Sequence, residues 1–217
     1  MGVLRNTDLM IASMVVLVAG LLGSGLAVAE EEPENLFLNP SFEEGMANWR
    51  MDKGGNTIAD FTVDKKDAID GKYSALVTIE TIAEWGSQFG QNMVAGEKGK
   101  TYTFAVLAKS VDGPVTVDLQ IERHADPWDR AAKSSTFTLK EDKWTELYVT
   151  FKVNLDFPEG WFAYISCTQP KVEYRADLFR LYEGEYIPYE ELELPPQSVS
   201  ASARNLVTTW GEVRAQD

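Results

Sequence analysis

Two stretches of the chain carry side chains suited to gripping a ligand. In residues 115–123 (VTVDLQIER), Gln120 and Glu122 alternate with the apolar row Val115, Val117, Leu119 and Ile121, so they share the opposite face of an extended strand. In residues 161–167 (WFAYISC), an inward row of Ala163, Ile165 and Cys167 leaves Phe162, Tyr164 and Ser166 on the outer face. A ring beside a planar amide and a carboxylate offers two complementary interactions. The ring supplies apolar stacking area, and the amide or carboxylate reads neighbouring hydroxyls through paired hydrogen bonds. Three tryptophans join this set: Trp85 with Gln88 close behind, Trp128 in the loop-like stretch RHADPWDR, and Trp161 at the start of its strand. Core or edge packing is the alternative for each of these rings. Trp49 and Trp144 read as structural.

Several chemistries are poorly served by this chain. Its one histidine, His124, sits between Arg123 and Asp126 on a loop and reads as exposed. Its one cysteine, Cys167, rules out an internal disulfide and has no base near it in sequence to activate a thiolate. No Ser-His-Asp order, zinc motif or phosphate loop is present. Asp64, Asp67 and Asp70 precede Gly71, but without the alternate spacing and closing Glu of an EF-hand loop. A net charge of -14 over 217 residues argues against nucleic acid, whose phosphates reward a basic face. The acidic residues are dispersed, as on a solvated surface, and are compatible with calcium.

Residues 1–29 read as an export signal. Arg5 precedes an apolar run over residues 9–26, and Ala27-Val28-Ala29 forms a small-x-small cleavage site. An uncleaved anchor is the alternative, because the run approaches spanning length. With the signal cleaved, no stable membrane span is expected and the product is secreted, with the periplasm or cell surface as variants. An acidic spacer follows at residues 30–34.

The body, residues 35–187, consists of short alternating runs. They fall at 73–80, 102–109, 115–123, 135–139, 145–153, 161–167 and 176–183, divided by turn signals such as Asp70-Gly71, Asp112-Gly113-Pro114 and Pro158-Glu159-Gly160. No helical period intervenes. Such spacing predicts an all-β protein, a jelly-roll β-sandwich with two antiparallel sheets. Residues 188–202 read as a Pro/Ser linker without core residues. Residues 203–217 place Leu206, Val207, Trp210 and Val213 at helical spacing, giving either a short amphipathic helix that docks on a surface partner or a frayed tail.

The body opens with NLFLNPSFEEGMANW (residues 35–49). Leu36 and Leu38 read as strand-like, Asn39-Pro40 as a turn, Phe42 as a return to the core and Trp49 as an edge cap. This order resembles the N-terminal signature of carbohydrate-binding modules of families four, nine and twenty-two, the CenC-like group. Further segments are similar to that group in the same order: Asp70-Gly71-Lys72-Tyr73-Ser74-Ala75-Leu76, residues 85–91 (WGSQFGQ), Gly99-Lys100-Thr101-Tyr102-Thr103-Phe104, Lys143-Trp144-Thr145 and Ala176-Asp177-Leu178-Phe179-Arg180-Leu181.

The resemblance implies a galactose-binding-domain-like jelly roll and a polysaccharide or other glycan as partner. It also implies a structural Ca²⁺ held by Glu43 and Asp177, with backbone oxygens near residues 70–72 completing the shell. Trp85 falls where the group often places a stacking aromatic. The carbohydrate-binding set is thus Trp85, Gln88, Gln120, Glu122, Trp128, Trp161 and Tyr164, with no catalytic residue. Two other functions stay open: a surface or matrix interaction protein on the same sandwich, and a glycoside hydrolase or an accessory part of one. A glycosidase needs two carboxylates held across the scissile bond in a supported cleft, and a sandwich of this size leaves little room for one.

Overall fold

A computed structural model describes residues 33–93, 96–141, 143–156 and 160–191. The expected signal at residues 1–29, most of the spacer and linker, and the tail at 203–217 lie outside the described residues. Among these residues eleven strands follow one another: β1 (Arg50–Lys53), β2 (Ile58–Asp64), β3 (Ser74–Thr81), β4 (Ser87–Met93), β5 (Thr101–Ser110), β6 (Val115–Arg123), β7 (Arg130–Lys133), β8 (Phe137–Leu139), β9 (Thr145–Lys152), β10 (Trp161–Cys167) and β11 (Val172–Glu183). They make two wholly antiparallel sheets. The first runs β1-β4-β10-β6-β7, with β8 also on β6, and the second runs β2-β3-β11-β5-β9. The protein is all-β: the described residues contain no α-helix, only a 3-10 turn at Tyr189–Glu191.

The period of two builds the core. Ala75, Val77 and Ile79 of β3, with Phe104, Val106 and Ala108 of β5, face Val117, Leu119 and Ile121 of β6 and Ala163 and Ile165 of β10 in one buried cluster. The strands at 115–123 and 161–167 form over the expected residues, and the others shift at their ends. β1, β2 and β7 were not expected. Leu36 and Leu38 are not in a strand: both lie in an irregular lead-in, and Leu38 is exposed. The Leu36 amide nevertheless donates to the Leu181 carbonyl at 2.7 Å, so the lead-in lies along β11.

What the opening motif does is packing. Asn39 adopts φ 50° and organises the turn with its side chain: Nδ2 donates to the carbonyls of Gly45 (2.9 Å) and Ala47 (3.2 Å), and Oδ1 accepts the Glu44 amide (3.0 Å). Its carbonyl accepts the indole N–H of Trp49 at 2.9 Å. The turn thereby drives Phe42 and Trp49 inward among Phe37, Phe89 and Phe179, with Trp49 and Phe179 centroids 4.4 Å apart. Edge-on and tilted contacts dominate, as ring quadrupoles favour.

Beyond β11 the chain keeps packing. Tyr189 lies against Ile69, Leu107, Trp144 and Leu178, and its amide donates to Glu146 Oε2 at 3.0 Å. The stretch from residue 188 therefore begins with a packed residue, contrary to the expected absence of core contacts. The ring has lodged on the outer side of the second sheet.

The Asn39 turn yields a stability prediction. Asn39→Ala removes three side-chain hydrogen bonds and with them the local bonding that makes the left-handed region tolerable for Asn, so it should lower unfolding free energy by about 2 kcal/mol. Urea denaturation followed by tryptophan fluorescence measures this.

Candidate functional site

The register of the first sheet gathers the outward side chains into rows. Tyr164 of β10 lies opposite Gly90 of β4 and Gln120 of β6; Ser166 lies opposite Gln88 and Asp118. Phe162 faces Asn92 and Glu122, and β1 adds Asp52 opposite Gln88 and Arg50 opposite Gly90. At the other edge Arg130 of β7 pairs with Glu122 and Lys133 with Gln120.

A line of hydrogen bonds crosses these strands. Gln88 Nε2 donates to Tyr164 Oη (3.2 Å), which donates to Gln120 Oε1 (2.9 Å), and Gln120 Nε2 donates to Asp118 Oδ1 (2.5 Å). Lys133 closes the line at 3.3 Å from Asp118. Tyr164 has no exposed surface. Burial, and next the charge of Glu122, hold its hydroxyl protonated far above the usual phenol range. It is therefore a fixed donor.

Over this floor lies a groove of about 600 Å³ bounded in part by Trp85 and Trp128. By register, the turn entering β4 and the turn leaving β6 lie at opposite ends of β10, so the two rings come from opposite ends of the sheet. Both rings are open to solvent, Trp85 at 45% and Trp128 at 53%. Trp85 lies flat on Gly54: a β-carbon there would come within 2.9 Å of indole Cδ2, so only glycine lets the ring settle. Trp128 has φ 61°, its amide donates to the Ala125 carbonyl (2.7 Å), and its ring meets His124 edge-on at 5.6 Å.

Charged groups bind one another along the groove. Asp52 Oδ1 accepts Arg50 Nε (2.9 Å) and Nη2 (2.6 Å), while Asp52 Oδ2 meets His124 Nε2 at 2.7 Å. Arg50 reaches across the side-chain-free Gly90 row to within 5.5 Å of the Phe162 ring centroid. Arg130 lies 3.6 Å from Glu122. The arrangement presents two open rings, an amide and fixed charges to one ligand.

The structure places Trp85, Gln88, Glu122 and Trp128 on this groove. Gln120 is buried below and acts on Tyr164. Three expectations need correction. Tyr164 faces outward but is covered by its neighbours, so its ring is no exposed platform. Trp161 is in the core, wholly buried against Tyr102 (5.4 Å) and Phe151 (5.6 Å), because it shares the inward parity of Ala163 and Ile165. His124, expected exposed, is half-buried and bonded to Asp52. Sequence reasoning missed Asp52, Lys53, His124 and Arg130 as groove residues. Arg130 and the β1 residues sit on strands too short to show a period.

Glu43 and Asp177 both reach the loop at residues 69–73, yet they meet its amide hydrogens. Asp177 Oδ2 accepts the amides of Ile69 (2.8 Å) and Asp70 (3.1 Å), and Oδ1 accepts that of Leu178 (2.8 Å). Glu43 Oε1 accepts the amides of Lys72 (2.6 Å) and Tyr73 (3.1 Å). Among the described residues, no group of three or more His, Cys, Asp or Glu is placed to hold a metal ion. In this arrangement both carboxylates are taken up by amide hydrogens.

Asp177 carries a pH signature. Burial pushes its carboxyl well above the ordinary carboxylate range, against three amide bonds that pull it down, and the Asp70 charge also raises it. A carboxyl raised in the fold contributes stability that is complete below its unfolded value and is lost as pH rises through its folded one. Asp177→Asn should therefore flatten the decline in urea midpoint as pH rises above the ordinary carboxylate range.

The model of the carbohydrate binding domain family matches residues 34–170. A solved CBM4 structure superposes with a TM-score of 0.57 at 22% identity, over 68% of this chain and 99% of its own. The CBM22-1 xylan-binding domain from Paenibacillus barcinonensis Xyn10C gives 0.56 at 20% identity, over 73% and 100%. The C-terminal family 22 module of Clostridium thermocellum Xyn10B gives 0.54 at 20%, over 72% and 100%. No curated protein matches this chain. The structural likenesses, at such identities, are likenesses of fold. The family match over residues 34–170 takes in more than half of the sequence: this chain belongs to the carbohydrate binding domain family of groups 4 and 9.

Proposed function

We propose that the protein is a secreted, noncatalytic module that binds polysaccharide in the groove between Trp85 and Trp128. The observation that carries this is the pair of solvent-open indoles on one groove, over a floor whose polar groups are already hydrogen-bonded. A pyranose presents an apolar C–H face and a rim of hydroxyls. The indoles take the face by stacking, while Gln88, Glu122 and Arg130 read the rim. The floor is preorganised, so little ordering entropy is lost on binding.

The absence of catalysis is part of the proposal. Asp52 and Glu122 are the groove carboxylates, and each is engaged by cations, Asp52 with Arg50 and Glu122 with Arg130. Neither is left clear of a cation to stand as the proton donor that glycoside hydrolysis requires.

Isothermal titration against xylans, β-glucans and mannans tests the reading. Trp85→Ala and Trp128→Ala should each weaken binding by about thirtyfold, as loss of a hot-spot ring does. Because both residues are about half exposed, the unfolding free energy should fall by no more than about 2 kcal/mol, leaving the fold intact. No reducing sugar should be released. Binding unchanged by both substitutions would refute the groove, and sugar release abolished by Glu122→Gln would make the protein a hydrolase.

Calcium at Glu43 and Asp177 is a separate proposal, carried by the family resemblance. It requires the two carboxylates to release the amides of Ile69, Asp70, Lys72 and Tyr73. A melting temperature that rises when calcium is added to chelator-treated protein supports it; an unchanged one leaves the amide bonds as the whole account.

A further inference from the structure

We propose that His124 is a positioning residue that holds the Trp128 side of the groove and couples glycan affinity to pH; this rests on the glycan reading above. Trp128 belongs to the loop between β6 and β7. That loop is joined to the far edge of the sheet by a side-chain bond from His124 Nε2 to Asp52 Oδ2 of β1, at 2.7 Å. The imidazole also lies edge-on between two rings, Trp128 at 5.6 Å and the floor residue Phe162 at 4.9 Å. One side chain thus spans loop, floor and opposite edge. It contacts the exposed indole directly.

The charges around His124 make Asp52 its partner. β1 presents Arg50, Asp52 and Lys53; Lys53 turns its ammonium to the Ala59 carbonyl at 3.2 Å. Arg50 takes Asp52 Oδ1 and leaves Oδ2 to the imidazole. From β6 and β7, Glu122 pairs with Arg130 at 3.6 Å, and Arg123 lies 3.7 Å from Asp129 of the loop. Asp126 is the remaining loop carboxylate and is exposed. The His124 and Asp52 side chains are 27% and 16% exposed, so a charge on the ring is only partly screened.

A neutral imidazole holds one proton and donates from Nε2 in only one of its tautomers. A protonated ring always donates there, and the bond to the carboxylate becomes charge-assisted. Protonation of the ring therefore tightens the tether and fixes the indole.

Titration of the full chain with xylohexaose and cellohexaose at about pH 5 and pH 8 tests the coupling. The better-bound sugar should bind about fivefold more tightly at the lower pH, the difference between a neutral and a charge-assisted hydrogen bond. His124→Phe keeps a ring but no donor, and should bind weakly with no pH dependence. His124→Gln restores a donor and should recover affinity without recovering the pH dependence. Acrylamide quenching, read as the difference between the chain and Trp128→Phe, reports the indole with no sugar present. Its accessibility should change with pH in the native chain and not in His124→Phe. Should His124→Phe fail to fold, the native pH profile and His124→Gln decide. Flat affinity and flat quenching overturn the proposal, as does His124→Phe matching the native chain at both pH values. Quenching that responds to pH while neither sugar binds overturns the glycan reading and leaves the hold on Trp128 standing.

Discussion

The Tyr164 hydroxyl is the joint on which the outer face of the first sheet depends. It accepts from Gln88 on one neighbouring strand and donates to Gln120 on the other, which uses its donor and one acceptor position. A buried hydroxyl without partners costs about 1–3 kcal/mol, so the amides of β4 and β6 are held where they are by the strand between them. Part of the groove is stacked on that layer. Phe162 stacks on Tyr164 at 4.8 Å, Arg50 reaches over Phe162, and Arg50 in turn holds Asp52.

This explains why β10 is buried on both faces although only one looks into the core. Its inner side chains meet the second sheet. Its outer ones are roofed by long polar side chains from β1, β4, β6 and β7. An aromatic floor with a polar lid of that kind stays dry while presenting few unsatisfied groups. What reaches solvent is confined to the margins, where the two indoles stand on turns. Rigid sheet below and ligand-facing rings on loops is a common division of labour.

The sequence made the sandwich legible because its alternation is long where it matters. β6 and β10 run for several full repeats, and their inward rows could be read directly. β1 and β7 have four residues each, too few for a period to rise above chance, and with β1 went Asp52 and Lys53. Parity also has a limit of meaning. It gave the direction of Tyr164 correctly but not its exposure, which depends on whether neighbouring strands carry residues long enough to cover it. Trp161 was a different error. The parity that sends Ala163, Ile165 and Cys167 inward sends Trp161 inward too, and its place at a strand end hid that. His124 was invisible for a third reason: its partner lies 72 residues away, on a strand that was not foreseen.

The opening lead-in and the closing strand fasten each other. Asn35 Nδ2 donates to the Phe179 carbonyl and Asn35 Oδ1 accepts the Leu181 amide, across 144 and 146 residues of intervening chain. Most small bodies fray first at their extremities, where few contacts oppose local opening. Here neither extremity can peel away without releasing the other, and Phe37 and Phe179 of the aromatic core lie directly behind the knot. Fraying from either extremity must therefore begin by breaking bonds that fasten both.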